Sequence, residues 1–336
     1  MSIFQKKREE DYEYEDEEFE QNENRGPNPR KFKDLKPENK RKRKEPPKPW
    51  GRPERLTVLI TILITIFTAG ILSLSSRNFK LPGLPRISLP SFNFGSDTII
   101  IEGNKEGREK AERTISYFEE KTKNLSGVYA IYVVRLSDGS NYGVNENQKM
   151  QAASLIKLPI MTLVFKKEEE GKLDLDEAAP GTNTTYRELV EAMGQRSDNN
   201  AQITLVKTFG ESEIQNYIDS IGMTKTSLDK NETTPEEIGL FFKMLWEGRL
   251  IKEKYRDELL GYMTNTIFED WIVKGIDEVR VAHKYGREVH VVNDAGIVFA
   301  AKPFVLVIMS DGAVETEADS VIHEIAREIY EIEIGN

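Results

Sequence analysis

The sequence contains no cysteine and only three histidines among its 336 residues, His283, His290 and His323. The absence of cysteine excludes disulfide bonds, thiolate zinc sites and a cysteine nucleophile. So few histidines argue against a histidine-rich metal site, and we expect neither a metal nor another cofactor. Acidic residues outnumber basic ones, and the net charge of −10 argues against a nucleic-acid-binding domain overall.

Residues 1–55 are predicted to form a disordered cytoplasmic tail. They are acidic and tyrosine-bearing at first and basic from Arg25 onward, with the densest basic run at Lys40–Lys44. Such a segment buries too little apolar surface to offset the entropy of its chain. A basic run is also typical of nucleic-acid binding or nuclear targeting, but its place before an apolar stretch favours contact with anionic lipid head groups.

Residues 56–76 contain no charged side chain. At about 1.5 Å per residue, a helix of this length crosses the roughly 30 Å hydrocarbon core of a bilayer. A cleaved signal peptide is the competing interpretation, but the leader is too long and no clear cleavage site follows. The basic excess before the stretch predicts a single-pass cell-membrane protein with a cytoplasmic N-terminus and an extracytoplasmic remainder. Residues 77–97 hold three prolines, at positions 82, 85 and 90, and are predicted to form an extended linker.

Residues 98–336 have the pattern of one globular α/β domain. Strand-like runs occur near both ends, and a mostly helical stretch from Ser154 to Lys274 lies between them. This arrangement predicts a sheet that joins the two ends of the domain. The other predicted elements are helix Lys105–Lys123, strand Val128–Leu136, a returning strand through Tyr142 and Val144, strands Val279–Tyr285, Val289–Val298 and Phe304–Met309, and helix Glu315–Ile334.

Ser154 and Lys157 are three residues apart, so a helix places them on one face, one turn apart. A serine hydroxyl needs a nearby base to become a nucleophile, and a buried lysine with a lowered pKa is such a base. A helix start also supplies backbone N–H groups for a developing oxyanion. The alternative is that Ser154 only caps the helix and Lys157 is solvated. Because Ser227 and Lys230 repeat the same spacing, the pair alone does not identify a catalytic site.

Two further clusters follow along the chain. Ser197-Asp198-Asn199 lies between helical segments, where a short loop projects a hydroxyl and a carboxamide. The run from Lys284 to Gly286 lies at a predicted strand end, where a lysine reaches a carboxylate and glycine permits close backbone approach. Serine-x-x-lysine, serine-aspartate-asparagine and lysine-x-glycine, in this order, are typical of class A β-lactamases and penicillin-binding proteins.

On these motifs, and on the stretches Ala152–Lys157, Tyr186–Ala201 and Val291–Val298, residues 105–335 resemble the class A β-lactamase domain of the penicillin-recognising serine hydrolases. The resemblance implies a β-lactamase-like α/β fold, with an antiparallel sheet built from both ends of the domain and an inserted helical region. It also implies a serine hydrolase that opens β-lactam amides through an acyl-enzyme.

The resemblance implies a role for each residue of the covalent chemistry. Ser154 would attack the carbonyl, and Lys157 would take the serine proton. Ser197 would relay a proton to the leaving nitrogen. The oxyanion would lie between the backbone N–H groups of Ser154 and Arg287. These residue types suit those roles, because they supply one nucleophile, a base and donors for developing charge.

The resemblance also implies substrate contacts. Asn199 would hold the amide of the substrate side chain, Lys284 would attract the substrate carboxylate, and Gly286 would allow the strand to approach. Tyr285 departs from the family pattern, which has threonine or serine at this position. A bulkier phenol reshapes or blocks the pocket, which puts penicillin recognition in doubt more than nucleophilic catalysis.

A second departure concerns deacylation, for which class A lactamases use a glutamate on a long loop. Leu228–Glu232 matches the start of that loop and puts Glu232 at the position of the glutamate. Thr233–Glu237 resembles the sequence after the loop, so the loop is shortened and its asparagine is absent. Glu232 is either the deacylation base or an acidic residue entering the helix that begins near Pro235. Without a base, the acyl-enzyme would turn over slowly, as in a penicillin-binding protein.

The expected substrate is a β-lactam or a peptidoglycan peptide, with D-alanyl peptidase activity as the alternative to β-lactamase activity. A catalytically idle domain that binds cell-wall peptide or a protein partner is the alternative from another class. The membrane, through one transmembrane helix, is the other expected contact, and no nucleic acid is expected.

Overall fold

The computed structural model describes Gly51, residues 58–66 and residues 105–335. The chain divides into two units, Met1–Leu89 and Pro90–Asn336. In the first unit, residues 58–66 form a helix, α1, whose apolar side chains are exposed. Among the described residues, no helix combines the length and the apolar character needed to cross a membrane. The predicted span over residues 56–76 extends past both ends of α1, and those extensions lie outside the described residues. The predicted linker, and all of the predicted tail except Gly51, also lie outside them.

The described part of the second unit contains both strands and helices. Its strands are β1 Val128–Arg135, β2 Asn141–Val144, β3 Met150–Gln151, β4 Glu232–Thr233, β5 Val281–Glu288, β6 Val291–Val298 and β7 Phe304–Asp311. Its helices are α2 Lys105–Thr122, α3 Lys157–Glu169, α4 Tyr186–Arg196, α5 Asn199–Phe209, α6 Glu211–Ser220, α7 Pro235–Trp246, α8 Glu253–Tyr262, α9 Ile272–Gly275 and α10 Glu315–Ile334, with a 3-10 turn at Ala153–Ile156.

The main sheet joins the two ends of this unit. Its strand order is β2-β1-β7-β6-β5, and every neighbouring pair is antiparallel. The segment between β2 and β5 supplies the helices α3 to α9 and a small sheet of β3 and β4. The predicted antiparallel α/β fold with an inserted helical region is therefore confirmed.

Alternating side chains of β1 fill two separate cores, because successive residues of a strand point to opposite faces of the sheet. Ile131 and Val133 pack in the core that contains Phe118 of α2 and Ile329 of α10. Ala130, Tyr132 and Val134 pack in the other core, which contains the inserted helices. Helices thus cover both faces of the sheet, which explains why its strands are apolar almost throughout.

A buried ion pair fastens α10 to the sheet. The guanidinium of Arg135 donates two hydrogen bonds to Glu333, at 2.7 Å from Nε and 2.8 Å from Nη2. The hydroxyl of Tyr142 donates a third to the same carboxylate, at 2.8 Å. Glu333 is 5% exposed, so its charge depends on these three donors.

One predicted boundary is wrong at a place that matters for function. The prediction ended a strand at Tyr285, but β5 continues through Glu288. Gly286, Arg287 and Glu288 are paired with Asn293, Val292 and Val291 of β6. The chain turns only afterwards, at His290, whose φ is 62°. Lys284-Tyr285-Gly286 is therefore held inside a paired strand rather than at its end.

Candidate active site

Ser154 lies in the tight turn that precedes α3. Residues Ala153–Ile156 form the 3-10 turn, and no side chain caps either it or α3. The interpretation of Ser154 as a helix cap therefore does not hold. Ala153 has a φ of 48°, a left-handed conformation that costs energy in a residue with a Cβ. The surrounding packing thus holds the serine in a fixed place.

The ammonium of Lys157 lies at the centre of the site and is completely buried. Its Nζ donates to Ser154 Oγ at 2.8 Å and to the backbone carbonyl of Ser197 at 2.8 Å. It also lies 3.2 Å from Ser197 Oγ and 2.6 Å from Asn199 Oδ1. One lysine thus contacts the hydroxyls of Ser154 and Ser197 and the carboxamide of Asn199. These residues come from two separate helical regions of the chain.

Ser197 is held between α4 and α5 in a constrained conformation. Its φ of 56° and ψ of 38° are left-handed, at the residue that ends α4. The next residue, Asp198, caps α5 by accepting a hydrogen bond from Ala201 N at 3.0 Å. The side chain of Asp198 is therefore structural, and it fixes the turn that presents Ser197 and Asn199.

Lys284 completes the group from the other side. Its Nζ donates to Ser197 Oγ at 2.8 Å and to the carbonyl of Tyr285 at 2.7 Å. Like Lys157, it is fully buried. The hydroxyl of Ser197 therefore lies between two lysine ammonium groups, and a hydroxyl in this position can pass a proton between them.

Burial lowers the pKa of both lysines, and the charge of Lys157 lowers that of Lys284 further. Burial lowers the pKa of Lys157 to about 8, although the carboxylates of Asp198 and Glu288 act in the opposite direction. Burial lowers the pKa of Lys284 well below its usual range, and the charge of Lys157 adds to this effect against the opposing carboxylate of Asp294. A neutral amine is thus accessible near neutral pH beside a serine hydroxyl.

Gly286 lets β5 approach the nucleophile. A Cβ on this residue would lie 2.9 Å from the backbone nitrogen of Ser154 and 3.1 Å from the Cβ of Ala153. No real Cβ fits at such distances, so the position requires glycine. The approach brings Arg287, the predicted second oxyanion donor, next to the turn that carries Ser154.

A cavity of about 370 Å³ opens at Ser154. Ser197, Asn199, Tyr285 and Arg287 also line it, as expected from the sequence. Arg196, at the end of α4, also lines the cavity and was not predicted as a site residue. Three more unpredicted lining residues are Phe268, Asp270 and Trp271. They come from the irregular segment between α8 and β5, which carries no motif.

A comparison with known protein families identifies the family of this chain. A sequence model of the beta-lactamase enzyme family matches residues 110–332. The chain belongs to this family. Membership makes it a serine hydrolase, and the resemblance to class A β-lactamases drawn from the motifs is confirmed. No curated protein sequence matches the chain.

Solved structures of class A type share the fold. PBP-A superposes with a TM-score of 0.61 at 22% identity, over 66% of this chain and 95% of its own. An ancestral class A β-lactamase superposes with a TM-score of 0.61 at 21% identity, over 65% of this chain and 99% of its own. A PBP-A variant solved as an acyl-enzyme complex with penicillin G superposes with a TM-score of 0.60 at 23% identity, over 67% of this chain and 96% of its own. These likenesses establish the architecture.

Glu232, the predicted deacylation residue of this family member, lies in β4, paired with Gln151 of β3. Within the described part of the chain, its carboxylate makes no hydrogen bond to Ser154, Lys157 or Ser197. The neighbouring residue, Asn231, instead fixes the turn by accepting a hydrogen bond from Ala152 N at 2.7 Å. The structure thus brings the other predicted residues together and leaves Glu232 outside their hydrogen-bond network.

Ser227 and Lys230, which repeat the serine–lysine spacing, form an ordinary turn. Ser227 Oγ accepts a hydrogen bond from the backbone nitrogen of Lys230 at 3.3 Å, and Lys230 is exposed. This second pair has none of the burial or convergence that marks Ser154 and Lys157.

Proposed function

We propose that this family member forms an acyl-enzyme at Ser154 by opening a β-lactam or a related peptide amide, outside the cell and at the membrane. The observation that carries the proposal is the 2.8 Å hydrogen bond from Lys157 Nζ to Ser154 Oγ, made by a fully buried lysine. The proposal is also supported by the solved structures that share this fold, which include a β-lactamase and an acyl-enzyme formed with penicillin G.

The acylation step follows from the arrangement. When Lys157 is neutral, it takes the proton of Ser154 as Oγ bonds to the carbonyl carbon. The oxygen of that carbonyl becomes negative and faces the backbone N–H groups of Ser154 and Arg287. As the C–N bond breaks, the nitrogen receives a proton through Ser197, which Lys157 and Lys284 resupply. The product is an ester on Ser154. The amine leaves when the substrate is a peptide amide and stays attached to the acyl group when it is a β-lactam.

Deacylation has no equally well-placed group. A water molecule must be activated near the ester, and Glu232 makes no hydrogen bond to the residues around Ser154. We therefore favour slow turnover, which agrees better with a penicillin-binding type of enzyme acting on cell-wall peptides than with a fast β-lactamase. The contacts of Ser197 Oγ with Lys284 at 2.8 Å and with Lys157 at 3.2 Å argue against the catalytically idle alternative, because burying two lysines side by side is costly and an idle site gains nothing from it.

The membrane location is proposed from the sequence. Its support is the uncharged stretch over residues 56–76 and the basic excess before it. Protease treatment of intact cells and of inverted vesicles tests the orientation. Digestion of residues 105–335 only from the outer side is the expected result, and protection of that region on intact cells would contradict it.

Two measurements on the same sample test the enzymatic proposal. Intact mass after incubation with benzylpenicillin should reach one full-mass adduct per chain. Nitrocefin hydrolysis should be no faster than the loss of that adduct. Rapid hydrolysis without an accumulating adduct would identify a true β-lactamase, and neither adduct nor hydrolysis would refute acylation.

A further inference from the structure

Three aromatic rings form one wall of the cavity beside Ser154. Tyr285 packs against Phe268 with ring centroids 4.3 Å apart, and against Trp271 at 6.4 Å. Tyr285 and Trp271 are each 5% exposed, whereas Phe268 is 43% exposed. This wall, made of Phe268, Trp271 and Tyr285, is mostly apolar and lines the same cavity as Ser154.

The wall covers Lys284. Lys284 Nζ donates two hydrogen bonds, to Ser197 Oγ and to the carbonyl of Tyr285, which use both N–H groups of a neutral amine and two of the three of an ammonium. The ring of Tyr285 lies over the same nitrogen, with its centroid 4.0 Å away. Lys284 has no exposed surface and does not line the cavity. No donor of Lys284 is therefore left for a carboxylate on the substrate.

The other charged groups of the cavity do not replace it. Arg287 is held by Asp319, with distances of 3.2 Å and 3.0 Å from its two Nη atoms. Arg196 faces Asp198 at 3.5 Å. Asp270 is exposed and forms no ion pair with any described residue, so it adds negative charge to the cavity lining. A ligand carboxylate here would meet apolar rings, the carboxylate of Asp270, and two arginines that already face carboxylates of the protein.

We propose that the aromatic wall is a specificity site for a neutral, apolar or aromatic group on the nitrogen side of the scissile amide, in place of a carboxylate. The inference rests on the proposed acylation of Ser154 and names its substrate class. The covalent step is the same for either class, since Oγ bonds to the carbonyl carbon, the C–N bond breaks and the serine proton ends on the nitrogen. Only the group that lies against Tyr285 differs.

Benzylpenicillin and its methyl ester test this proposal, because they differ only in whether the carboxylate is charged. We expect the ester to acylate the chain about tenfold faster or more, the scale of one charge-assisted hydrogen bond. In Tyr285→Thr, Lys284 is uncovered, so the free acid should gain about tenfold and the preference for the ester should largely disappear. Tyr285→Phe keeps the ring and should keep the preference for the ester. Acylation rates are read from intact mass over time.

A second variant guards against misfolding of Tyr285→Thr. Asp319→Asn keeps an acceptor for the indole of Trp271, which now donates to Asp319 Oδ1 at 3.0 Å, but releases Arg287 from its counter-charge. The free acid should then react several-fold faster, while the ester rate stays unchanged.

The outcomes separate this inference from the function on which it rests. If the free acid labels the unmodified chain as fast as the ester or faster, the aromatic specificity is wrong and acylation of Ser154 stands. If neither compound labels the unmodified chain or any of the three variants, both are wrong. Loss of the ester preference in Tyr285→Thr, with the preference kept in Tyr285→Phe, supports the inference.

Discussion

Gly286 lies so close to Ser154 that no side chain fits between them, since a Cβ on the glycine would stand 2.9 Å from the serine nitrogen. The contact joins the edge of the sheet to the turn that carries the nucleophile. The position of Ser154 is therefore fixed both by the turn before α3 that carries it and by β5 of the main sheet. Pre-organisation of this kind places reacting groups before the substrate arrives.

Gly286→Ala should lower the acylation rate at least about 100-fold, because a misplacement of about 1 Å at a reacting centre has an effect of this size. The measurement is the rate of adduct formation by mass spectrometry. Gly261→Ala is the control, because a Cβ there meets nothing within 4 Å. It should leave acylation unchanged and raise the free energy of unfolding by roughly 0.5–1 kcal/mol. An active Gly286→Ala would show that the approach of β5 is dispensable.

The acylation rate should rise with pH and level off above a midpoint near 8, the pKa of Lys157. Below this value the amine is protonated and cannot take the serine proton, and above it the lone pair is free. Lys157→Arg should lose at least about 100-fold, because a guanidinium stays protonated. Lys230→Arg, at the second serine–lysine pair, is the control and should keep both rate and profile. A rate independent of pH from 6 to 9 would exclude Lys157 as the base.

Glu232→Ala should leave the lifetime of the acyl-enzyme unchanged, because its carboxylate makes no hydrogen bond to the residues around Ser154. Adduct loss after removal of excess penicillin measures that lifetime. A general base contributes about 100-fold or more, so loss of a true base would lengthen the lifetime by that factor. Glu236→Ala removes a nearby carboxylate from the same segment and serves as the control. A much longer lifetime in Glu232→Ala alone would assign the base to this residue.

Glu333→Ala should lower the free energy of unfolding by about 3–5 kcal/mol, because it leaves the buried guanidinium of Arg135 without its counter-charge. Chemical denaturation of the folded domain gives the value. Glu331→Ala, on the exposed side of the same helix, removes only a surface pair with Arg327 and should change stability by less than about 0.5 kcal/mol. Equal effects of the two substitutions would contradict the proposed anchoring of α10.

Much of the fold could be predicted because its periodicity is strong and local. The helix predicted over Glu315–Ile334 has those bounds in the structure, and the strand predicted over Val128–Leu136 is one residue shorter. The meeting of Ser154, Ser197 and Lys284 also followed from the order of their motifs. Each motif lies on or beside a regular element, so its position in space follows once the elements are placed.

The remaining features depend on tertiary contacts that have no sequence signature. The left-handed backbone of Ala153 is imposed by packing around the nucleophile, and nothing about an alanine predicts it. Phe268 and Trp271 belong to an irregular segment, so their position beside Ser154 depends on how that segment lies across β5. Sequence placed Tyr285 in the site, but only the structure shows its ring over the Lys284 ammonium.

The most direct test of the central claim is the mass of the folded chain after exposure to benzylpenicillin and its methyl ester, compared between Ser154→Ala and Ser227→Ala. The unmodified chain and Ser227→Ala should each gain one adduct, with the modified peptide containing residue 154. Ser154→Ala should gain none while keeping its folded circular-dichroism spectrum. An adduct that persists in folded Ser154→Ala, or that disappears in Ser227→Ala, would contradict the assignment of Ser154 as the nucleophile.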